Sequence, residues 1–444
     1  MSFLAARINP IQVMADGTVK QINPFSGTEV WTVPGRGNRP ITTPAHDCSP
    51  LQQQDRHSFC AFCHDRISET PPEKSRLIAV DDSFTLHSGL SIEQQQRTPY
   101  EFRRVPNLFE IVTYDYWQAN YQYEMDEHTR CWMNNYLNDP AGRAHALSIV
   151  KTKLIAAGRK NEAENASEEE LLTFAEAFFA GGHDVIIARR HFSDNATNRS
   201  QLASCGTLSV EEHRGLIHFT IAAMDDLYQR NRYACYVAVF QNWLKPAGAS
   251  FDHLHKQLVA IDERGYSAEH EIAKLRQNPN MYNEWAVDYA AKRNLIIAEN
   301  DHAVCFAGFG HRFPTLEVFS TSATTQPWLM SKEEVDAMSD LLHACHAAAG
   351  PEVPCNEEWH HQPIDLDIPM PWRVMIKWRI STLAGFEGVT KVYLNTISPW
   401  QLRDRVVDAL YRLRDSNTIA PTIRIATECA VERNSLKYNP LLAR

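Results

Sequence analysis

The sequence predicts an α+β fold made of two tandem units, with a helical insertion inside the first. Three observations carry this reading. An order of strand, capped helix and strand occurs twice, once over residues 183–260 and again over residues 316–380. Residues from about 110 to 180 hold apolar side chains at helical spacing. The first recurrence ends on His253-Leu254-His255-Lys256-Gln257, leading into an alternating apolar run that reads as a strand.

Taken in order, residues 1–75 are rich in Pro, Gly, Asn and Gln. They read as strands and loops wrapped over a larger body. The insertion follows, clearest in Glu162-Ala-Glu-Asn-Ala-Ser-Glu-Glu-Glu-Leu-Leu-Thr-Phe-Ala-Glu-Ala-Phe-Phe-Ala. The first unit then shows a strand in His183-Asp-Val-Ile-Ile-Ala and a capping box, Ser209-Val-Glu-Glu212. That box opens a helix to about residue 229, and a strand over 233–241 follows. In the second unit the matching parts are a strand over 316–320, the box Ser331-Lys-Glu-Glu334 with a helix to about 349, a long loop, and a strand over 372–380. A third box, Ser398-Pro-Trp-Gln401, starts the last helix with proline at its first position. The unit boundaries are 1–265 and 266–444.

Composition bounds the partners. With 44% hydrophobic and 22% charged residues, the 444-residue chain has ample material for a core. A formal charge of −10 argues against a broad nucleic-acid or anionic-membrane surface. No run approaches the roughly 18 apolar residues of a membrane span, and the opening MSFLAARINPIQVMADG lacks a signal-peptide core. The ten cysteines are scattered except for Cys60 and Cys63, which reads as reduced thiols in a soluble, cytoplasmic protein.

A strand has a side-chain period of two, so His253, His255 and Gln257 project from one face. Fed by the turn-forming Pro246-Ala-Gly248-Ala-Ser250, such a face suits a site that holds a phosphoryl group and attacks it with imidazole. Cys60-Ala-Phe-Cys63 supplies half of a tetrahedral zinc site. The missing ligands are open at this point: His46, Cys48, His57 and His64 lie nearby, while His191 and His253 would complete a split site.

Four separated segments together resemble the galactose-1-phosphate uridylyltransferases and related nucleotidyltransferases and phosphorylases of the histidine-triad superfamily. They are Asn23-Pro-Phe-Ser-Gly through Arg36-Gly-Asn-Arg39-Pro with Cys60-Ala-Phe-Cys63 and Glu69-Thr-Pro-Pro-Glu73; Phe102-Arg-Arg-Val-Pro-Asn107; Asn242 through Gln257; and Ala384-Gly-Phe-Glu387 through Tyr393-Leu-Asn395. The resemblance implies tandem histidine-triad-like units with antiparallel sheets flanked by helices. It implies a zinc ion held by Cys60, Cys63, His191 and His253, with His255 as the nucleophile that takes the nucleoside monophosphate. Gln257 and Ser250 would touch the α-phosphate, Asn242 and Gly248 would shape the loop around it, and Arg36, Arg39 and Asn107 would bind substrate.

The expected activity is transfer of a nucleoside monophosphate from a nucleotide sugar to a sugar phosphate, as in galactose metabolism, by a homodimer. Gln257 stands where a triad hydrolase has a third histidine. An amide donates hydrogen bonds but gives no proton at neutral pH, which favours transfer over hydrolysis. A phosphorylase acting on a nucleotide sugar or a dinucleoside polyphosphate is the alternative enzyme, and a non-catalytic, zinc-braced nucleotide-binding module is the alternative outside enzymes. In the second unit Met375 and Lys377 replace the family's second pair of metal-binding histidines. Only Glu271 and His360 remain of that set, so no second metal is expected. His343 and His346 read as core or surface residues, and Trp243 as either a packing residue or a platform for a base.

Overall fold

The computed structural model describes residues 9–35, 47–81 and 83–442. Sixteen strands run in the order β1 (Ile11–Val13), β2 (Val19–Ile22), β3 (Glu29–Thr32), β4 (Ser75–Val80), β5 (Ser83–Ser88), β6 (Phe102–Pro106), β7 (His183–Ala188), β8 (Tyr236–Trp243), β9 (His255–Ile261), β10 (Ile296–Glu299), β11 (Ala303–Ala307), β12 (Thr315–Ser320), β13 (Cys355–His360), β14 (Arg373–Trp378), β15 (Val392–Leu394) and β16 (Arg424–Ile425). Twelve of them form one sheet, ordered β16-β10-β11-β12-β14-β13-β8-β9-β7-β6-β4-β5. All its pairings are antiparallel.

The antiparallel sheets expected of the two units are here one continuous sheet. The two halves fuse at β8 and β13, with Asn242 opposite Asn356 and Phe240 opposite Glu358. The fusing strand β13 lies inside what reads as a long loop in the sequence. Its residues Cys-Asn-Glu-Glu-Trp-His alternate buried and half-buried, so the period of two is present, but the polar members disguise it. From this seam six strands run outward on each side.

One face of the sheet is covered by two long helices, Val210–Arg230 and Lys332–Ala349, each begun by a serine capping box with a glutamate at the third position. They pack on each other and on the central strands. Burial of their apolar faces and of Ile186, Leu258, Val374 and Ile376 forms the main core. On this rear face Lys256 meets Glu357 at 2.5 Å, and His346 adds a bond to Glu357 at 2.7 Å. His255 and Gln257 project from the opposite, front face of β9.

Two additions frame the front. A small sheet, β1-β2-β3-β15, joins the chain's beginning to its late segment, with β15 parallel to β3. Six helices between Tyr114 and Ala180 form the insertion. It docks at the end of β9, where the hydroxyls of Tyr116 and Tyr121 both donate to Asp262. A second tie runs from the insertion to the segment after the cysteine pair, where His145 Nε2 meets the Thr70 carbonyl at 2.9 Å. Among the described residues no helix is long and apolar enough to cross a membrane.

Candidate active site and metal centre

The first half of the front face gathers residues from five separated parts of the chain. The turn Cys60–Cys63 is closed by the Cys63 N–H donating to the Cys60 carbonyl at 2.9 Å, which points both thiols the same way. His191 follows β7 and His253 precedes β9; these strands are neighbours, so the two rings converge. The two sulfurs lie 3.8 Å apart. From Cys60 Sγ to the Nδ1 atoms of His191 and His253 the distances are 3.4 and 3.5 Å, and from Cys63 Sγ they are 3.6 and 3.8 Å.

These separations fit a metal. Around a tetrahedral zinc, with bonds of about 2.3 Å to sulfur and about 2.0 Å to nitrogen, sulfurs stand about 3.8 Å apart and sulfur–nitrogen edges measure about 3.5 Å. The tautomer agrees. His253 Nε2 lies 2.7 Å from the Ala188 carbonyl, so it carries the hydrogen and leaves an Nδ1 lone pair facing the thiols. Hydrogen bonding from the Cys60 thiol, aided by His191 and His253, draws the Cys63 thiol far below its ordinary pKa. Four acceptor-like atoms converging on one point call for a cation.

Next to this cluster, His255 Nδ1 lies 2.7 Å from the carbonyl of His253. That carbonyl can only accept, so the hydrogen sits on Nδ1 and the Nε2 lone pair is free. Nε2 has no protein partner and is reachable by solvent. The ring is otherwise well covered, 6% exposed, with the centre of the Phe62 ring 5.3 Å from its own in a T-shaped contact. Burial pushes its pKa down to about 4, so the neutral ring dominates at physiological pH.

Gln257, two residues on, faces the same way. Its Oε1 accepts from His183 Nε2 at 3.1 Å and from Asn107 Nδ2 at 3.3 Å. His183 can donate because its Nδ1 accepts the Ile111 N–H at 3.1 Å. With the amide oxygen held from two sides, the amide nitrogen is turned outward as a donor. His183 and Phe62 are functional neighbours that sequence reasoning missed. The parity of His183 with Val185 and Ile187 in β7 is local, but its meaning comes only from the pairing of those residues with Gln257 and His255.

The loop between β8 and β9 is strained. Leu244 sits at φ +66°, ψ 158°, a region that side chains avoid, and Gly248 at φ +92° supplies the left-handed turn. Asn356 braces the loop, donating to Asn242 Oδ1 at 2.7 Å and to the Ala247 carbonyl at 2.8 Å. Ser250 is exposed. Trp243 is buried and donates to the Pro351 carbonyl at 2.8 Å, so it packs and offers no face to a base. Arg36 and Arg39 lie outside the described residues.

In the second half, Glu271 and His360 do reach one cavity, but the Glu271 carboxylate is taken by Arg373 at 2.6 Å and the Tyr282 hydroxyl at 2.5 Å. On the rear face Cys205, His346 and Glu357 converge closely enough to suggest ligands. Lys256 already supplies the cation there, and His346 has in Glu357 the partner that its sequence context hides.

Comparison with family models decides the relationship: a model described as a domain of unknown function, DUF4921, matches residues 14–438. The chain belongs to that DUF4921 family. Comparison with curated protein sequences finds no match. Among solved structures, the DUF4921 chain is similar to an ADP-glucose phosphorylase from Arabidopsis thaliana with bound ADP-glucose, at 16% identity and a TM-score of 0.56. It is also similar to a GalT-like protein from the same plant, at 15% identity and a TM-score of 0.55. Each likeness covers 88% of this chain and 98% of the other. The fold is therefore the one these two proteins share.

Proposed function

We propose that this DUF4921 protein is a nucleotidyltransferase that moves a nucleoside monophosphate from a nucleotide sugar to a phosphate-bearing acceptor through a covalent intermediate on His255. The observation that carries the reading is the free lone pair of His255 Nε2 beside Gln257, fixed by the bond from Nδ1 to the His253 carbonyl. In the first step that lone pair forms an N–P bond to the α-phosphorus. The P–O bond to the sugar phosphate breaks, and its electron pair leaves on the departing oxygen. The ring becomes a cation while keeping its Nδ1 hydrogen on the carbonyl, which steadies the new charge. In the second step an oxygen of the acceptor phosphate forms a P–O bond as the N–P bond breaks, and the ring is neutral again. The outward amide of Gln257 donates to a phosphate oxygen in both steps and supplies no proton, which discourages water as the acceptor.

Cys60, Cys63, His191 and His253 would hold a zinc ion. Zinc there supplies a brace: it neutralises the thiolates and fixes the backbone carbonyl that orients His255. Ser250 would touch the α-phosphate, Asn242 and Gly248 would shape the loop around it, and Asn107 would lie towards the nucleoside. The sheet halves would be duplicated units, 1–265 and 266–444, with the insertion near the nucleoside side of the first.

A second reading differs only in the acceptor. One of the two solved structures matched over 88% of the chain is an ADP-glucose phosphorylase, and that likeness supports inorganic phosphate as the acceptor. Incubation with α-labelled ADP-glucose or UDP-glucose, quenched in base, is expected to leave acid-labile label on the polypeptide. The His255→Gly variant should carry none; label retained there would refute the nucleophile. Chasing the labelled protein with phosphate or glucose 1-phosphate then separates the acceptors, because the products are a nucleoside diphosphate or a nucleotide sugar.

A further inference from the structure

A cavity of about 440 Å³ opens on the front face of the second half, against β13 and β14. Its lining holds four cations, Arg312, Arg373, Lys377 and Arg379, but only two carboxylates, Glu271 and Glu358. Both carboxylates are committed. Arg373 takes Glu271 in a two-point fork at 2.6 and 2.9 Å, and Lys377 takes Glu358. Among the described residues Arg312 and Arg379 form no ion pair.

These two guanidinium groups share one platform. Arg312 lies 4.9 Å and Arg379 4.6 Å from the centre of the Phe313 ring. Arg379 also donates to Asn356 Oδ1 at 2.6 Å, which fixes its direction. The Nε atoms of both are shut off from solvent without a partner, as is that of Arg373, which is 2% exposed. Like charges held together in a partly dry pocket are costly unless an anion completes them. A phosphoryl dianion presents several oxygens to two planar forks, the pairing for which arginine is best shaped.

We propose that this cavity is a second anion-binding site, which takes the phosphoryl group of inorganic phosphate or of a small phosphate monoester between Arg312 and Arg379. Lys377 and the fork on Glu271 make the same cavity hostile to a metal cation. The site is distinct from His255, since β13 and β8 lie between β14 and β9. It nevertheless has a mechanical link to the first half: Arg379 binds Asn356, and Asn356 binds Asn242 and the Ala247 carbonyl of the strained loop. The inference rests on the second half alone and stands whether or not His255 is a nucleophile.

Calorimetric titration of the full chain with inorganic phosphate, glucose 1-phosphate and glucose tests it. Saturable binding of at least one phosphate compound is expected, with none for glucose. Equal binding of both phosphates assigns the site to free phosphate, and tighter glucose 1-phosphate assigns it to a monoester. Arg312→Gln and Arg379→Gln should each weaken binding about tenfold or more, while His255→Asn leaves it within about twofold. Both arginines are only half-buried, so the variants are expected to fold, which circular dichroism checks. A tungstate soak of crystals of the unaltered protein gives an independent reading, with density expected between the two guanidinium groups. Absence of any phosphate binding, or binding lost in His255→Asn and kept in the arginine variants, overturns the proposal.

Discussion

Strands β9 and β14 stand at matching distances from the β8–β13 seam, yet they present opposite chemistry to the front face. From β9 project His255 and Gln257, neutral groups whose orientation is fixed by a carbonyl and by two side-chain donors. From β14 project Arg373, Met375 and Lys377, whose charged members are tied to Glu271 and Glu358. A neutral, oriented imidazole can form and break a bond. A crosslinked ionic surface of this kind holds charge, and none of the three β14 side chains is an imidazole. The comparison teaches that this sheet fixes only where side chains stand, and that the function of each half follows from whether those side chains are partnered.

The sharpest way to break the comparison is to test whether the four converging side chains of the first half hold a metal. Elemental analysis should find about one zinc per chain. Cys63→Ser should lower that content strongly and shift unfolding to markedly lower denaturant, because metal binding contributes many kcal/mol in structural sites. Glu271→Gln in the second half should leave zinc unchanged. Full zinc in Cys63→Ser would show that the four converging side chains are not the ligands.

The ionic half is tested by its buried fork. Arg373→Met leaves Glu271 without its guanidinium partner and should cost about 3–5 kcal/mol in urea unfolding. Adding Glu271→Met should recover much of that loss, since an apolar pair of similar volume no longer strands a charge. Strictly additive losses would mean that the fork contributes nothing specific.

Much of this arrangement was legible in the chain. The serine boxes at 209, 331 and 398 begin helices at the next residue, because a cap is a local event that needs no distant partner. The alternation of His253, His255 and Gln257 likewise announces a front face. What the sequence hides is non-local. Nothing near Cys355–His360 says that it will join the two halves, since the pairing strand lies over a hundred residues earlier. His183 looks like a strand-opening residue until β7 is known to lie beside β9, and His346 looks unpartnered until Glu357 is brought beneath it. The arginine pair is hidden for the same reason: Arg312 and Arg379 meet only because β12 and β14 pair, with Thr315 opposite Lys377.

The smallest effect comes from acid, and it sets the two halves against each other. His343, buried under the sheet on the second-half helix, has its pKa pushed down by burial to about 4. The unfolded chain therefore binds a proton there from about pH 6.5 downward while the folded one does not, so stability falls across that window, by up to about 1.4 kcal/mol per pH unit for this group. Glu110, at the start of the insertion, has its pKa raised by burial to about 7. It is protonated in the folded state before the unfolded carboxyl is, so it adds stability as pH falls from about 7 to 4.5. The two groups oppose each other over the same range. His343→Gln should flatten the loss between pH 6.5 and 5, and Glu110→Gln should steepen it, both read from urea midpoints at the two pH values. Identical pH slopes in the two variants would mean that neither group titrates where its burial places it.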